Sequence, residues 1–220
     1  GPVGAGKSTV ARALAHALGL EYINTGAMYR AFAVAAREGG FSPDDPQVEG
    51  KLEPLLKSTA VTFSGDNVML NGRDVTRELS DPGVSELASR FSTLGAVRER
   101  MRELQRAAGG KGGVVMEGRD IGTAIFPDAE VKFFLEASVE ERARRRCAEL
   151  QAKGIPTGLA EVLAQLAQRD HRDRSRELAP LRRAADAIAI DSTDMTVNEV
   201  VATMQAHIER RCIQKGLKQT

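Results

Sequence analysis

Tryptophan is absent from this chain, aromatic residues of any kind make up only 4% of it, and 31 basic residues against 30 acidic leave a net charge of +1. A groove for single-stranded nucleic acid needs aromatic faces to stack bases and a basic track for phosphates, and this composition offers little of either. With neither sign in excess, a footprint on DNA or on an anionic membrane also loses its simplest argument. Cys147 and Cys212 are the only cysteines, far apart and outside any CxxC or Cys/His cluster, so neither a disulfide framework nor a zinc site is supported. His16, His171 and His207 lack metal-site spacing and read as structural or surface residues. No apolar run reaches the roughly 18 residues of a membrane span, and no charged start precedes a short apolar stretch as in a signal peptide. The expectation is a cytoplasmic protein with reduced thiols and neither membrane nor nucleic acid as partner.

What is present suits a folded α/β protein. The 220 residues are 42% hydrophobic and 28% charged, close to average usage and enough for one domain or a core with an insertion. The basic side is lopsided, 23 arginines to 8 lysines, which fits either bidentate anion sites or an arginine-favouring genome; only position can decide.

The strongest local signal is Gly1-Pro2-Val3-Gly4-Ala5-Gly6-Lys7-Ser8, which matches G-x-x-x-x-G-K-[ST] at every fixed position and runs through Thr9 into an Ala/Leu-rich helix. In such a loop backbone N–H groups close around a phosphate chain, the lysine reaches the outer phosphates and the hydroxyl serves Mg²⁺. The strand that normally launches it would lie ahead of Gly1. No N-K-x-D-like segment for reading guanine accompanies it.

Further along, Leu20 to Ile23 reads as a strand, and Thr25 reads as the cap of a helix with Met28, Ala31, Phe32 and Ala35 on its apolar face. Gly39-Gly40 and Ser42-Pro43-Asp44-Asp45-Pro46 then break the pattern. A polar helix, a hairpin across Ser64-Gly65-Asp66-Asn67 and two helices follow, and residues 40–108 read as an insertion into a core of residues 1–39 and 109–220. Val114 to Met116, Val131 to Leu135 and Ala187 to Ile190 read as strands of a mostly buried parallel sheet, alternating with helices over 138–153, 159–176 and 196–211.

Charged residues gather where such a fold places ligands. Arg169-Asp170-His171-Arg172-Asp173-Arg174-Ser175-Arg176 is either a solvated helix or, because Arg169, Asp170, Asp173 and Arg176 continue the apolar face of Leu159, Val162, Leu163 and Leu166, a cleft lining. Glu117-Gly118-Arg119-Asp120-Ile121-Gly122 follows a strand end, where a tight turn would bring Arg119 and Asp120 into the crevice. Arg142 and Arg144 fit a helix surface as readily as a site.

Taken with Asn24-Thr25-Gly26-Ala27-Met28-Tyr29-Arg30, Phe126-Pro127-Asp128-Ala129 and Ala179-Pro180-Leu181, these segments resemble the bacterial cytidylate kinases of the nucleoside monophosphate kinase group, nearly end to end. The resemblance implies a P-loop three-layer fold with an inserted α+β region for the nucleoside monophosphate and a lid over 148–158. It implies ATP- and Mg²⁺-dependent phosphorylation of CMP and dCMP by a monomeric enzyme. Residues 1–9 would hold ATP, with Ser8 on the metal. Lys7, Arg119, Arg145 and Arg176 would be catalytic. Thr25, Tyr29, Arg30, Ser89, Arg98, Arg119, Asp120, Arg169, Asp173 and Arg176 would bind the acceptor, with Ser89, Arg98 and Asp120 reading cytosine. Asn24 departs from the family's usual aspartate and removes a negative charge. From the residues alone, AMP, UMP or a shikimate-like acceptor, or a nucleotide-binding module without turnover, are the alternatives.

Overall fold

A computed structural model describes residues 1–214; the last six residues of the expected core lie outside it. The chain forms two compact units, one of residues 1–22 with the chain from Glu117 onward, the other Ile23–Met116. The division falls in the chain at 22/23 and 116/117.

The first unit opens with α1 (Lys7–Leu18), whose Val10, Ala11, Leu14 and Ala15 are buried. Gly19, in the left-handed conformation at φ 65°, closes it by sending its N–H back to Ala15 and His16 carbonyls. In β1 (Glu21–Asn24) the chain leaves this unit.

In the second unit the side chain that starts α2 (Thr25–Glu38) is Asn24, whose oxygen accepts from the Ala27 N–H; Thr25, expected as the cap, is the first helical residue and is buried. Asparagine wins because its carbonyl reaches the third N–H of the helix while its own backbone stays extended. Ala27, Met28 and every residue from Ala31 to Ala36 are buried, so α2 is a central helix wrapped on most sides and wider in its apolar face than the expected stripe. The short α3 (Val48–Lys51) and α4 (Glu53–Ser58) follow. Then β2 (Val61–Ser64) pairs antiparallel with β3 (Asn67–Leu70), Val61 opposite Leu70. The reading missed a third strand, β4 (Arg73–Asp74), joined to β3 by Asn71-Gly72 at φ 50° and 82°. That dipeptide is the favoured two-residue hairpin turn, so its signal was in the sequence. The helices α5 (Pro82–Phe91) and α6 (Gly95–Gly109) bring Val84, Ala88, Phe91, Val97 and Met101 into the same core as Phe32. The chain returns in β5 (Val114–Glu117), which pairs with β1.

Back in the first unit, Ile121–Ile125 forms a wide helical turn, Phe126 N–H reaching the Ile121 carbonyl at 2.8 Å, where only a tight turn was expected. The strands β6 (Phe133–Glu136) and β7 (Ile188–Asp191) pair in parallel, with Phe133 opposite Ile188. Between them, α7 (Val139–Ala152) starts at Ser138, whose hydroxyl accepts from Glu141 N–H, and packs on α8 (Leu159–Ser175) through Ala143, Leu150, Val162 and Leu166. Leu159, expected on that face, is instead 45% exposed, because it stands in the first turn before the helices meet. The last helix, α9 (Val197–Gln214), packs on α1. Parallel strands flanked by helices make this an α/β fold, and no helix among the described residues is long and apolar enough to cross a membrane.

Phe32 is fully buried and meets the Phe91 ring edge-on, with centroids 5.5 Å apart. Phe32→Ala should cost about 3–5 kcal/mol in urea unfolding, and Leu159→Ala within about 0.5 kcal/mol; equal losses would contradict this placement of the core.

Candidate active site

The loop Gly1–Gly6 turns through two glycines in the left-handed region, Gly4 at φ 77° and Gly6 at φ 80°, and Gly6 is the residue at which α1 begins. A Cβ on Gly4 would also stand 3.1 Å from the Cβ of Arg142, so α7 lies directly against the loop. The Lys7 ammonium donates to the Pro2 carbonyl at 2.6 Å, folding back over the loop it follows. Burial, with the nearby Arg119 charge adding to it, pulls the Lys7 pKa down to about 7 against the opposing pull of Glu117.

In the first turn of α1, Ser8 donates its hydroxyl to Glu117 Oε1 at 2.5 Å, and the Tyr22 hydroxyl donates to the same oxygen at 2.9 Å. Burial and the Glu117 charge both push the Tyr22 phenol pKa up. Glu117 and Tyr22 were not among the expected site residues. An acid closing the apolar run Val114-Val115-Met116 was the available signal, since strand ends are where α/β folds place functional groups.

Arg119 and Asp173, both expected at the acceptor site, form an ion pair. The Arg119 Nε donates to Asp173 Oδ2 at 2.6 Å, with the arginine side chain 18% and the aspartate 6% exposed. Burial alone would raise the Asp173 pKa, but Arg119, with Arg169 and Arg176 behind it, holds the carboxyl below its usual range. Burial likewise works against the Arg119 charge, and Asp173 more than offsets it, so the guanidinium pKa stands above its ordinary value. Arg176 lies 3.8 Å from Asp173 Oδ1 and 3.7 Å from Asp120 Oδ1, while its Nε donates to the Ala179 carbonyl at 2.8 Å. Ala179 sits at φ 47°, a conformation a Cβ-bearing residue adopts at a cost of order 1 kcal/mol or more. The Leu181 N–H bond to the Asp173 carbonyl, 2.7 Å, helps hold that segment against the end of α8.

Arg145 is engaged with the protein itself. Its Nε donates to Glu141 at 3.0 Å, and Nη2 donates to the carbonyls of Ser192 at 2.6 Å and Thr193 at 3.2 Å, just beyond β7. Arg142, left open between surface and site, is buried. It pairs with Asp170 at 2.7 Å and donates to the Val3 carbonyl of the loop at 2.9 Å. Arg144, in contrast, is exposed and pairs with Glu141.

In the unit of residues 23–116, Thr25, Tyr29 and Arg30 occupy the first two turns of α2; Thr25 is buried and the others half-buried. The space at Gly26 is bounded by Asn24 Oδ1 and Arg30 Nη1, 3.2 and 3.3 Å from where a Cβ would stand. Ser89 and Arg98, both buried, are joined through Ser92. The Ser92 hydroxyl donates to the Ser89 carbonyl at 2.7 Å, and the Ser92 carbonyl accepts from Arg98 at 3.4 Å.

The protein-family model for cytidylate kinase matches residues 1–210. The chain belongs to the cytidylate kinase family. It is 47% identical over 218 residues to the cytidylate kinase of Geobacter sp. (strain M21), covering 97% of this chain and 92% of that protein. Against the cytidylate kinase of Carboxydothermus hydrogenoformans it is 48% identical over 215 residues, 96% of each chain. A bifunctional pantoate ligase/cytidylate kinase of Synechocystis is 46% identical over 93% of this chain, which spans 40% of that longer protein.

Removing the buried ammonium should stabilise the ligand-free protein, and by a pH-dependent amount. Lys7 titrates near 7 in the fold and near 10.5 when unfolded, so its cost is complete below about pH 7 and shrinks as pH rises toward 10.5, where the unfolded chain no longer holds the extra proton. Lys7→Met should therefore raise Tm more at pH 6 than at pH 9. A gain that does not vary with pH would show that Lys7 titrates normally.

Proposed function

We infer that the protein transfers the terminal phosphoryl group of ATP to CMP, giving CDP and ADP, and accepts dCMP as well. The observation that carries this reading is the cluster of Lys7, Arg119, Asp173 and Arg176 in one unit with a glycine-rich loop that opens a helix. It is an arrangement for binding transferable phosphate.

The acceptor needs no base. A phosphate monoester has its second pKa near about 6, so at pH 7 it is mostly a dianion and already a nucleophile. Catalysis is then alignment and charge neutralisation. Lys7, released from the Pro2 carbonyl, would take the outer phosphates of ATP, which also restores its charge. Arg119 and Arg176, already set in direction by Asp173, would hold the acceptor phosphate, Arg30 joining them. Ser89, Arg98 and Asp120 would read the cytosine edge, which offers an amine donor beside acceptors. Thr25 and Tyr29 would shape the acceptor site, and Arg169 and Asp173 would flank the sugar. Arg145 would leave the Ser192 and Thr193 carbonyls for the phosphoryl group in flight. Closure of residues 148–158 would exclude water and limit ATP hydrolysis.

Ser8 Oγ and the Glu117 carboxylate, 2.5 Å apart at the start of α1, are oxygen donors of the kind a hard divalent cation takes. They are the residues that would hold Mg²⁺, which would offset charge on the transferring phosphates. The same reading takes the protein as a monomeric cytoplasmic enzyme acting on free nucleotides.

Coupled ADP release with ATP and Mg²⁺ should depend strongly on CMP and dCMP, and weakly on UMP or AMP; a preference for AMP would refute the cytosine assignment. Arg119→Ala and Arg176→Ala should each lower CMP-dependent transfer by roughly 10² or more, and near-normal turnover in both would overturn their roles.

A further inference from the structure

Of the arginines at 142, 144, 145 and 146, only Arg142 is buried, its side chain 7% exposed. Its guanidinium spans three elements. Nε donates to the Ala137 carbonyl ahead of α7 at 3.1 Å, and Nη1 lies 2.9 Å from the Val3 carbonyl and 2.7 Å from Asp170 Oδ2 on α8. The other Asp170 oxygen is buried without a hydrogen-bond partner among the described residues, so this carboxylate relies on Arg142. The loop meets α7 here as well, a Cβ on Gly4 falling 3.3 Å from the Arg142 carbonyl oxygen.

A peptide group is planar and trans, so the C=O of one residue and the N–H of the next point in opposite directions. Holding the Val3 carbonyl on the α7 side therefore turns the Gly4 N–H away from α7. Directed N–H groups are what a phosphate loop has to offer. Gly4 has no Cβ and little preference of its own for this conformation, so an external tie is needed to keep the peptide from rotating. The Asp170 charge meanwhile neutralises Arg142, which removes its reason to swing toward an incoming polyphosphate and compete with Lys7.

We propose that Arg142 is a positioning residue for the donor-phosphate loop: through the Val3 carbonyl it sets the Gly4 N–H, and Asp170 orients it. This rests on the reading that Gly1–Ser8 binds nucleotide phosphate, and it assigns Arg142 a role that acts through the loop.

The test uses Arg142→Lys and Asp170→Asn in the full chain. Circular dichroism and Tm would establish folding, titration calorimetry would give ADP affinity, and initial rates would give separate KM values for ATP and CMP. Each variant should weaken ADP binding and raise KM for ATP by roughly tenfold or more, as loss of a charged hydrogen bond implies, with KM for CMP changed less than about twofold. Folded variants with unaltered ADP affinity, or with both KM values raised in the same proportion, would overturn the proposal. Should Arg142→Lys fail to fold, Asp170→Asn keeps the side-chain shape and one acceptor oxygen and decides alone. If the unaltered protein released no ADP on adding CMP, the kinase reading would fall, and ADP titration of the variants would still decide the role of Arg142.

Discussion

Arginines can be withdrawn from water only beside a counter-charge, and the arginine cluster of the first unit is organised around one carboxylate. Asp173 is 5% exposed; it takes Arg119 on one oxygen, stands within ion-pair distance of Arg176 on the other, and accepts the Leu181 N–H through its backbone. Without it two buried guanidiniums would repel each other, and the segment around the left-handed Ala179 would lose a tie. An anion placed there would meet positive groups already fixed in direction, with most of the ordering cost met during folding.

The same helix serves the loop at the other end of the site. Asp170 and Asp173 are three residues apart on α8, and so are neighbours on one face. The first reaches the glycine-rich loop through Arg142, the second reaches Arg119 and Arg176. A rigid helical turn therefore sets the spacing between the arginine tied to the glycine-rich loop and the pair gathered on Asp173.

Much of this could be read from the chain. The loop motif is local, because each glycine and the Lys-Ser pair answer to backbone geometry within eight residues. The segments Thr25 to Arg30 and Glu117 to Gly122 carried the family. What escaped was decided by partners distant in sequence. Nothing in Glu141-Arg142-Ala143-Arg144-Arg145-Arg146 distinguishes the buried arginine from the exposed one at 144, because the difference lies in the Val3 carbonyl and Asp170, reached only after folding. Glu117 and Tyr22 were overlooked for the same reason: Glu117 takes the Ser8 hydroxyl from 109 residues away, and Tyr22 reaches Glu117 from 95 residues away. α2 has the composition of a core helix for either unit, and its burial among α5 and α6 places it with residues 23–116.

The cap of α2 has an evolutionary consequence. Asn24 starts the helix through its side-chain oxygen, and an aspartate oxygen would accept the Ala27 N–H equally well. The position can therefore gain or lose a full negative charge close to Arg30 while the helix start stays intact. Fold and local potential are uncoupled at this one residue, so a lineage can retune how strongly the amino end of α2 attracts anions without first acquiring compensating mutations in the core.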